Sequence, residues 1–275
     1  MGILQLFREI YLRRDLVREL VIKDLKLRYG RPGLGILWAF LSPLLMVVVF
    51  YIVFSLIFEV SVEEAPFFLY LMSAILPWSF FQSSLMGSAT SLMDNKNLIR
   101  EANVVHYLIP LSLTLANLIN FLPSFAILVI ATLFISKGVS ILILFLPVVL
   151  LIHAITTFGL GMIFSVLYVR WRDVRYILES VLLFLFYLTP VFYSVSLVES
   201  KFPRILYKIY IFNPFMEITN LYRVVLFKGF YSKIVPMVGV MNLLVVPVIF
   251  SFMFLWLSLY IYKFNKNSIN DRLSY

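Results

Sequence analysis

No cysteine occurs among the 275 residues, which excludes disulfides, thiolate metal sites and thiol redox chemistry. Charge is scarce as well. Charged residues make up 13% of the chain and apolar residues 62%, whereas a soluble domain sits near ~25% and ~45–50%. An ordinary water-soluble enzyme is thereby excluded. The two histidines, His106 and His153, stand outside any H-E-x-x-H pattern, and the aspartates (Asp15, Asp24, Asp94, Asp173, Asp271) stand singly. No catalytic residue, metal site or paired-carboxylate magnesium site is therefore expected. No G-x-x-x-x-G-K-[ST] loop is present, so the chain binds no nucleotide by that route and is expected to carry no cofactor of its own. A proton- or ion-coupled carrier needs ionisable groups inside the membrane. The carboxylate that stands out near a helix start is Glu179, and it is expected at the interface, paired or hydrated.

What is abundant is uncharged sequence. Runs at 34–58, 65–93, 180–198 and 234–262 carry no charge, and those at 102–136 and 138–169 carry only His106 and His153. Each exceeds the ~18 residues that mark a membrane helix. None shows the alternating ten-residue pattern of an outer-membrane barrel. The expected fold is an all-α integral membrane protein with six transmembrane helices, at about 34–58, 65–93, 104–135, 139–169, 177–197 and 234–262. The first run begins at residue 34, behind a charged segment, which argues against a cleavable signal peptide.

Orientation follows the basic residues. Arg8, Arg13, Arg14, Arg18, Lys23, Lys26, Arg28 and Arg31 precede the first run, and Lys263, Lys266 and Arg272 follow the last. The first outer loop, 59–64, has three glutamates and no basic residue. Both termini are thus expected in the cytoplasm, in a multi-pass protein of the cell inner (plasma) membrane. The net charge of +9 then belongs to cytoplasmic segments, and no nucleic-acid partner is expected. Lys201, Arg204, Lys208, Arg223, Lys228 and Lys233 break the rule by falling on the predicted outside.

Three other segments stand out. Residues 8–28 read as one amphipathic helix, with Leu12, Leu16, Val17, Leu20, Val21 and Leu25 on one half and basic residues on the other. It suits the headgroup layer and a cytoplasmic partner. The loop 94–101 is polar around Leu98 and Ile99, the composition of a short helix whose two apolar side chains fill a pocket on another protein. Residues 199–233 mix Phe202, Ile205, Leu206 and Ile209 with Lys201, Arg204 and Lys208, and Asn213-Pro214 marks a helix start. They read as two short re-entrant helices before the last span. Aromatics are plentiful (27 Phe, 16 Tyr, 4 Trp). Beyond an interfacial belt, such rings offer stacking surfaces for sugars.

Three stretches resemble the membrane subunits of type-2 ABC exporters, in particular the bacterial permeases for O-antigen, capsular polysaccharide or teichoic acid. The first is Lys23-Asp24-Leu25-Lys26-Leu27-Arg28-Tyr29 with Gly33-Leu34-Gly35-Ile36-Leu37-Trp38 and Ser42-Pro43-Leu44. It is similar to the family's R-D-L-K-x-R-Y, L-G-x-x-W and N-P-L, with Lys23 and Ser42 departing from it. The second is Asn97-Leu98-Ile99-Arg100 followed by Ile109-Pro110-Leu111, and the third is Asn213-Pro214-Phe215 with Leu221-Tyr222-Arg223. The resemblance implies a transport subunit, not an enzyme. It implies a homodimer joined to two copies of a separate nucleotide-binding ATPase, which binds the ATP and Mg, and a lipid-linked polysaccharide as cargo. Under it, residues 1–33 (Arg18, Lys23, Lys26 and Arg28 among them) form a cytoplasmic interface helix, 34–262 the transmembrane domain and 263–275 a cytoplasmic tail. Asn97, Leu98, Ile99, Arg100 and Glu101 would couple to the ATPase. Trp38, Tyr51, Phe54, Phe184, Tyr187 and Tyr193 are candidates for the channel wall, and Asn213, Pro214, Tyr222 and Arg223 for the outer gate. A type-2 permease for drugs, ions or lipids is the alternative. A membrane enzyme acting on prenyl-linked sugars is disfavoured by the absent paired carboxylates.

Overall fold

Backbone N–H and C=O groups that leave water must bond to one another, and helices do this within one segment. The computed structural model describes residues 3–29, 37–62, 65–102, 104–136 and 138–274. Among them run thirteen α-helices: α1 (Ile3–Leu12), α2 (Arg14–Tyr29), α3 (Leu37–Phe50), α4 (Phe67–Asp94), α5 (Lys96–Ala102), α6 (Leu108–Ile135), α7 (Leu146–Arg170), α8 (Val174–Leu188), α9 (Val195–Lys201), α10 (Arg204–Tyr210), α11 (Pro214–Leu226), α12 (Phe230–Val238) and α13 (Val240–Ser274). A π-helical segment, Tyr51–Ile57, continues α3, and a 3₁₀ turn, Ile141–Phe145, leads into α7. Arg31, residues 33–36, Glu63, Glu64, Lys137 and the side chain of Trp38 lie outside the described residues.

Three stretches are each long and apolar enough to cross a membrane: Leu108–Ile135, Ile141–Arg170 and Val240–Ile269. They fall on three of the expected runs. The fifth run is shorter as a helix than its charge-free length. α8 stops at Leu188 because Thr189, extended at ψ 139°, precedes Pro190, and the residue before a proline is pushed out of the helical region. The sixth run starts inside α12. Gly239, at φ +87°, breaks that helix from α13, and a positive φ is open to glycine without steric cost. The amphipathic segment 8–28 is two helices, parted at Arg13. Between α8 and α13 lie four short helices; α10 and α11 fall on the expected pair, while α9 and α12 are additional.

α4 is the central helix. It packs against α3, α6, α7, α8 and α11, and α13 packs along α7 and α11. Two apolar clusters result. The larger gathers α4, α11 and the segments around them. The smaller gathers α1, α2, α5, the start of α6 and the far part of α13. The latter forms the amino-terminal end; the opposite end, with residues 138–145 and 189–239, is the distal end.

α7 and α13 come close together at Gly159. A Cβ built there would lie 2.8 Å from the backbone N of Leu255 and 2.9 Å from the carbonyl carbon of Phe254. Without a hydrophobic drive between helices in lipid, such close backbone contact holds spans together. Gly159→Ala is expected to destabilise the folded chain by about 1–3 kcal/mol, the usual cost of overpacking. Gly87→Ala, where a Cβ meets nothing within 4 Å, is expected to be near neutral. Thermal unfolding of the two variants in one detergent checks this.

Candidate functional site

At the amino-terminal end α2 lies on α6. Val17, Leu20 and Val21 are buried beneath it, each contributing roughly 1.5–3 kcal/mol. Its polar residues are used too. Ser112 Oγ donates to Asp24 Oδ2 at 3.0 Å, and Arg28 donates to Asn117 Oδ1 at 2.6 Å. Lys23 Nζ donates to Asn95 Oδ1 at 2.6 Å. Asn95 is the C-cap of α4, and its own Nδ2 donates back to the Ser91 carbonyl at 2.9 Å. It therefore joins α2 to the α4–α5 corner. Tyr107 donates to Glu9 and so ties α1 to the start of α6. Arg272 donates to the carbonyls of Val169 and Arg170 at 3.4 and 3.1 Å, fastening the far part of α13 to the end of α7.

Of the four basic residues expected on a free face, Arg18 and Lys26 are exposed, while Lys23 and Arg28 hold α2 in place. Leu12 is 70% exposed and does not join the buried stripe. α5 follows Asn95, whose carbonyl accepts from Ile99 N at 3.0 Å. Ile99 turns inward and is buried in this chain's own cluster, with Leu98 packed partly against it. The expectation that both fill a pocket on another protein is corrected for Ile99. The α5 residues offered outward are Asn97, Arg100 and Glu101, all exposed.

A second feature is an aromatic face built by α3, its π-helical continuation and α8. Phe54 stacks on Phe192 with ring centroids 4.4 Å apart. Phe50 lies 5.8 Å from Phe186 and from Phe192, and Phe186 lies 5.5 Å from Trp78 of α4. Tyr51 meets Phe68 edge-on. Offset and edge-on rings are the favoured geometries, worth ~0.5–1.5 kcal/mol per pair beyond burial. Tyr51, Phe54 and Tyr193 are thus partly sunk in packing. Phe184 and Tyr187 stand at the surface, 65% and 54% exposed, and the Tyr187 ring lies 5.9 Å from that of Phe192. Tyr193 donates to the Tyr187 carbonyl at 3.0 Å. The exposed apolar side chains of these elements include both rings and aliphatic groups, while Glu179 of α8 is exposed as well.

The third feature lies at the distal end. Asn213 caps α11, its Oδ1 accepting from Phe215 N at 3.0 Å, and Pro214 opens the helix. Tyr222 and Arg223, expected at a gate, are both 0% exposed. Tyr222 shares a hydrogen bond with His153 Nδ1 of α7 at 3.1 Å. The Arg223 guanidinium sits 3.5 Å over the Tyr70 ring. It donates to Ser73 Oγ at 3.3 Å and to the Val191 carbonyl at 3.1 Å. These two residues bolt α11 inside the chain's own fold and are buried within it. Sequence reasoning missed Glu217, in the first turn of α11 and also 0% exposed, with Asn220 Nδ2 at 3.5 Å. Glu179, the carboxylate singled out instead, is exposed. The signal for Glu217 was its place in the turn after Asn213-Pro214. Nearby, burial together with Glu199 and Glu217 pushes the Tyr207 phenol up to about 12. It stays neutral and donates to the Met237 carbonyl at 2.8 Å, linking α10 to α12.

Residues 15–227, from α2 through α11, match the ABC-2 type transporter family. The chain belongs to that family. It is similar to an O-antigen export system permease protein, RfbA, of Myxococcus xanthus, at 29% identity over 82% of this chain and 85% of the relative. An RfbA of Klebsiella pneumoniae is 31% identical over 70% of this chain and 74% of its own. The polysialic acid transport protein KpsM of Escherichia coli is 21% identical over 79% and 83%. The ABC-2 match thus takes in the α2 contacts, α5, the aromatic face and the α11 bolt, and leaves α13 outside.

Asn95 is the hinge point of the amino-terminal end. Asn95→Ala removes its bond to Lys23 and its return bond to Ser91, worth about 1 kcal/mol each. Hydrogen exchange of the α2 amides around Leu20–Leu25 is expected to quicken about five- to tenfold. Asn97→Ala, on the exposed face, is expected to leave that exchange unchanged.

Proposed function

We propose that this ABC-2 chain is the channel-forming permease subunit of an ATP-driven exporter that moves a lipid-linked polysaccharide, of the O-antigen, capsule or teichoic-acid kind, from the cytoplasmic side across the membrane. The observation that carries the reading is the family match, with relatives named for O-antigen export and polysialic acid transport. The aromatic face supports it. Exposed rings such as Phe184 and Tyr187 offer stacking surfaces over which a long polar polymer slides without a deep binding minimum.

In this reading six segments span the inner membrane: α3 with its π-helical continuation, α4, α6, α7, α8 and α13. Both termini are cytoplasmic. α1 and α2 lie at the interface, and α9 to α12 sit toward the outside, with α10 and α11 re-entrant. Two copies of the chain enclose the channel, with Phe184 and Tyr187 of each facing it. Two copies of a separate ATPase bind and hydrolyse ATP with Mg. Their motion reaches the permease through Asn97, Arg100 and Glu101 on α5 and through the exposed Arg18 and Lys26 on α2.

Purification of the chain from its native membranes in mild detergent, followed by mass spectrometry, tests the assembly. One ATPase recovered in equal amount is the expected result; recovery without any ATPase overturns it. Within that complex Arg100→Glu is expected to cut transport-linked ATP hydrolysis at least tenfold, because reversing one charge in a contact costs about 1.4 kcal/mol or more. The permease should remain folded, since Arg100 is exposed. Unchanged coupled hydrolysis would remove α5 from the coupling surface.

A further inference from the structure

At the distal end, away from the aromatic face, a cavity of about 1050 Å³ opens between the turn before α7, the end of α11 and the start of α13. Its framework is fixed. Val139 pairs in an isolated antiparallel bridge with Phe227, and Ser140 N donates to the Leu226 carbonyl at 3.3 Å. The polarity of the lining is graded. Ser140, Lys228 and Tyr231 stand with the exposed Phe145 toward the loop end, and Ile152 and Val248 lie further along the helices that line it. From Phe145 to Ile152 the wall descends seven helical residues, about 10 Å. That depth fits within one leaflet of a bilayer whose hydrocarbon core is ~30 Å thick. The groove opens sideways between exposed apolar side chains, including Ile141, Val148 and Leu244, so its mouth faces hydrocarbon.

Lys228 supplies the charge. It is exposed, and no carboxylate lines the cavity among the described residues. A Cβ built on Gly138 would lie 3.7 Å from Cδ of Lys228, so the lysine stem crosses the rim beside that glycine. Lys228 is also one of the basic residues that break the positive-inside rule. A second copy of this chain covering the groove would bury that ammonium without a described partner, which is costly. A phosphate at headgroup level keeps it paired and hydrated.

We propose that this groove is a binding site for an anionic phospholipid of the surrounding bilayer, its acyl chain lying along Phe145, Ile152 and Val248 and its phosphate held by Lys228 at the rim. The site is separate from the export path and goes beyond it.

Native mass spectrometry of the full chain, titrated with phosphatidylglycerol or phosphatidylcholine of matched acyl chains, tests the proposal. Phosphatidylglycerol is expected to bind about fivefold more tightly than phosphatidylcholine, the worth of one lysine near a charged headgroup. Lys228→Gln should abolish that preference and leave phosphatidylcholine binding intact. Val148→Trp, which places a ring in the groove from a lipid-facing position, should reduce the occupancy of both lipids. Equal phosphatidylglycerol binding by the wild type and both variants overturns the proposal. So does a Val148→Trp chain that loses a dimer while its lipid occupancy is unchanged.

Discussion

A guanidinium with no exposed surface holds the distal end together. Arg223 cannot shed its charge, and stranding such a charge inside a protein costs several kcal/mol. Its donors must therefore be met wherever α11 comes to rest. The Tyr70 ring and Ser73 hydroxyl of α4 and the Val191 carbonyl beyond α8 meet part of that need. Tyr222, one residue earlier and so about 100° around the helix, reaches His153 of α7 instead. One turn of α11 thereby fixes the spacing of α4 and α7. The aromatic face and the lipid groove both depend on where α11 sits.

α4 carries that constraint to the other end. Its first turns hold Tyr70 and Ser73; its C-cap Asn95 receives Lys23 of α2 and precedes α5. At 28 residues it is about 42 Å long, buried along most of its length. One helix, interrupted by Pro77, thus runs from α5 to the α11 bolt.

Much of this was legible in the sequence, and what was hidden has a common cause. The charge-free runs gave the long helices, because hydrocarbon tolerates little else. The polar loop at 94–101 gave α5. What the pattern could not show was that Lys23, Asp24, Arg28 and Arg223 bond to partners within the fold. Their partners Asn95, Ser112, Asn117 and Ser73 stand between 72 and 150 residues away along the chain. A charge read alone looks solvent-facing; only the tertiary fold brings the acceptor. The inward turn of Ile99 and the burial of Glu217 were hidden for the same reason. The breaks at Thr189-Pro190 and Gly239 were readable from local chemistry, but hydropathy alone runs across them.

The two ends are fastened differently, and that difference bears on mechanism. At the distal end the bonds of Arg223 and Tyr222 are sealed from water, so breaking one leaves an unsolvated polar group. At the amino-terminal end the fastenings of α2 and of the α13 tail are partly exposed: Lys23 is 33% exposed and Arg28 is exposed. When such a bond opens, water replaces the lost partner at little cost. Local opening in proteins concentrates where hydrogen bonds are exposed and apolar contacts few. The surface proposed to meet the ATPase is therefore the part of the fold best able to shift without unfolding. Under the proposed function, the rigid, dry end is the one that keeps a wall for a sliding polymer.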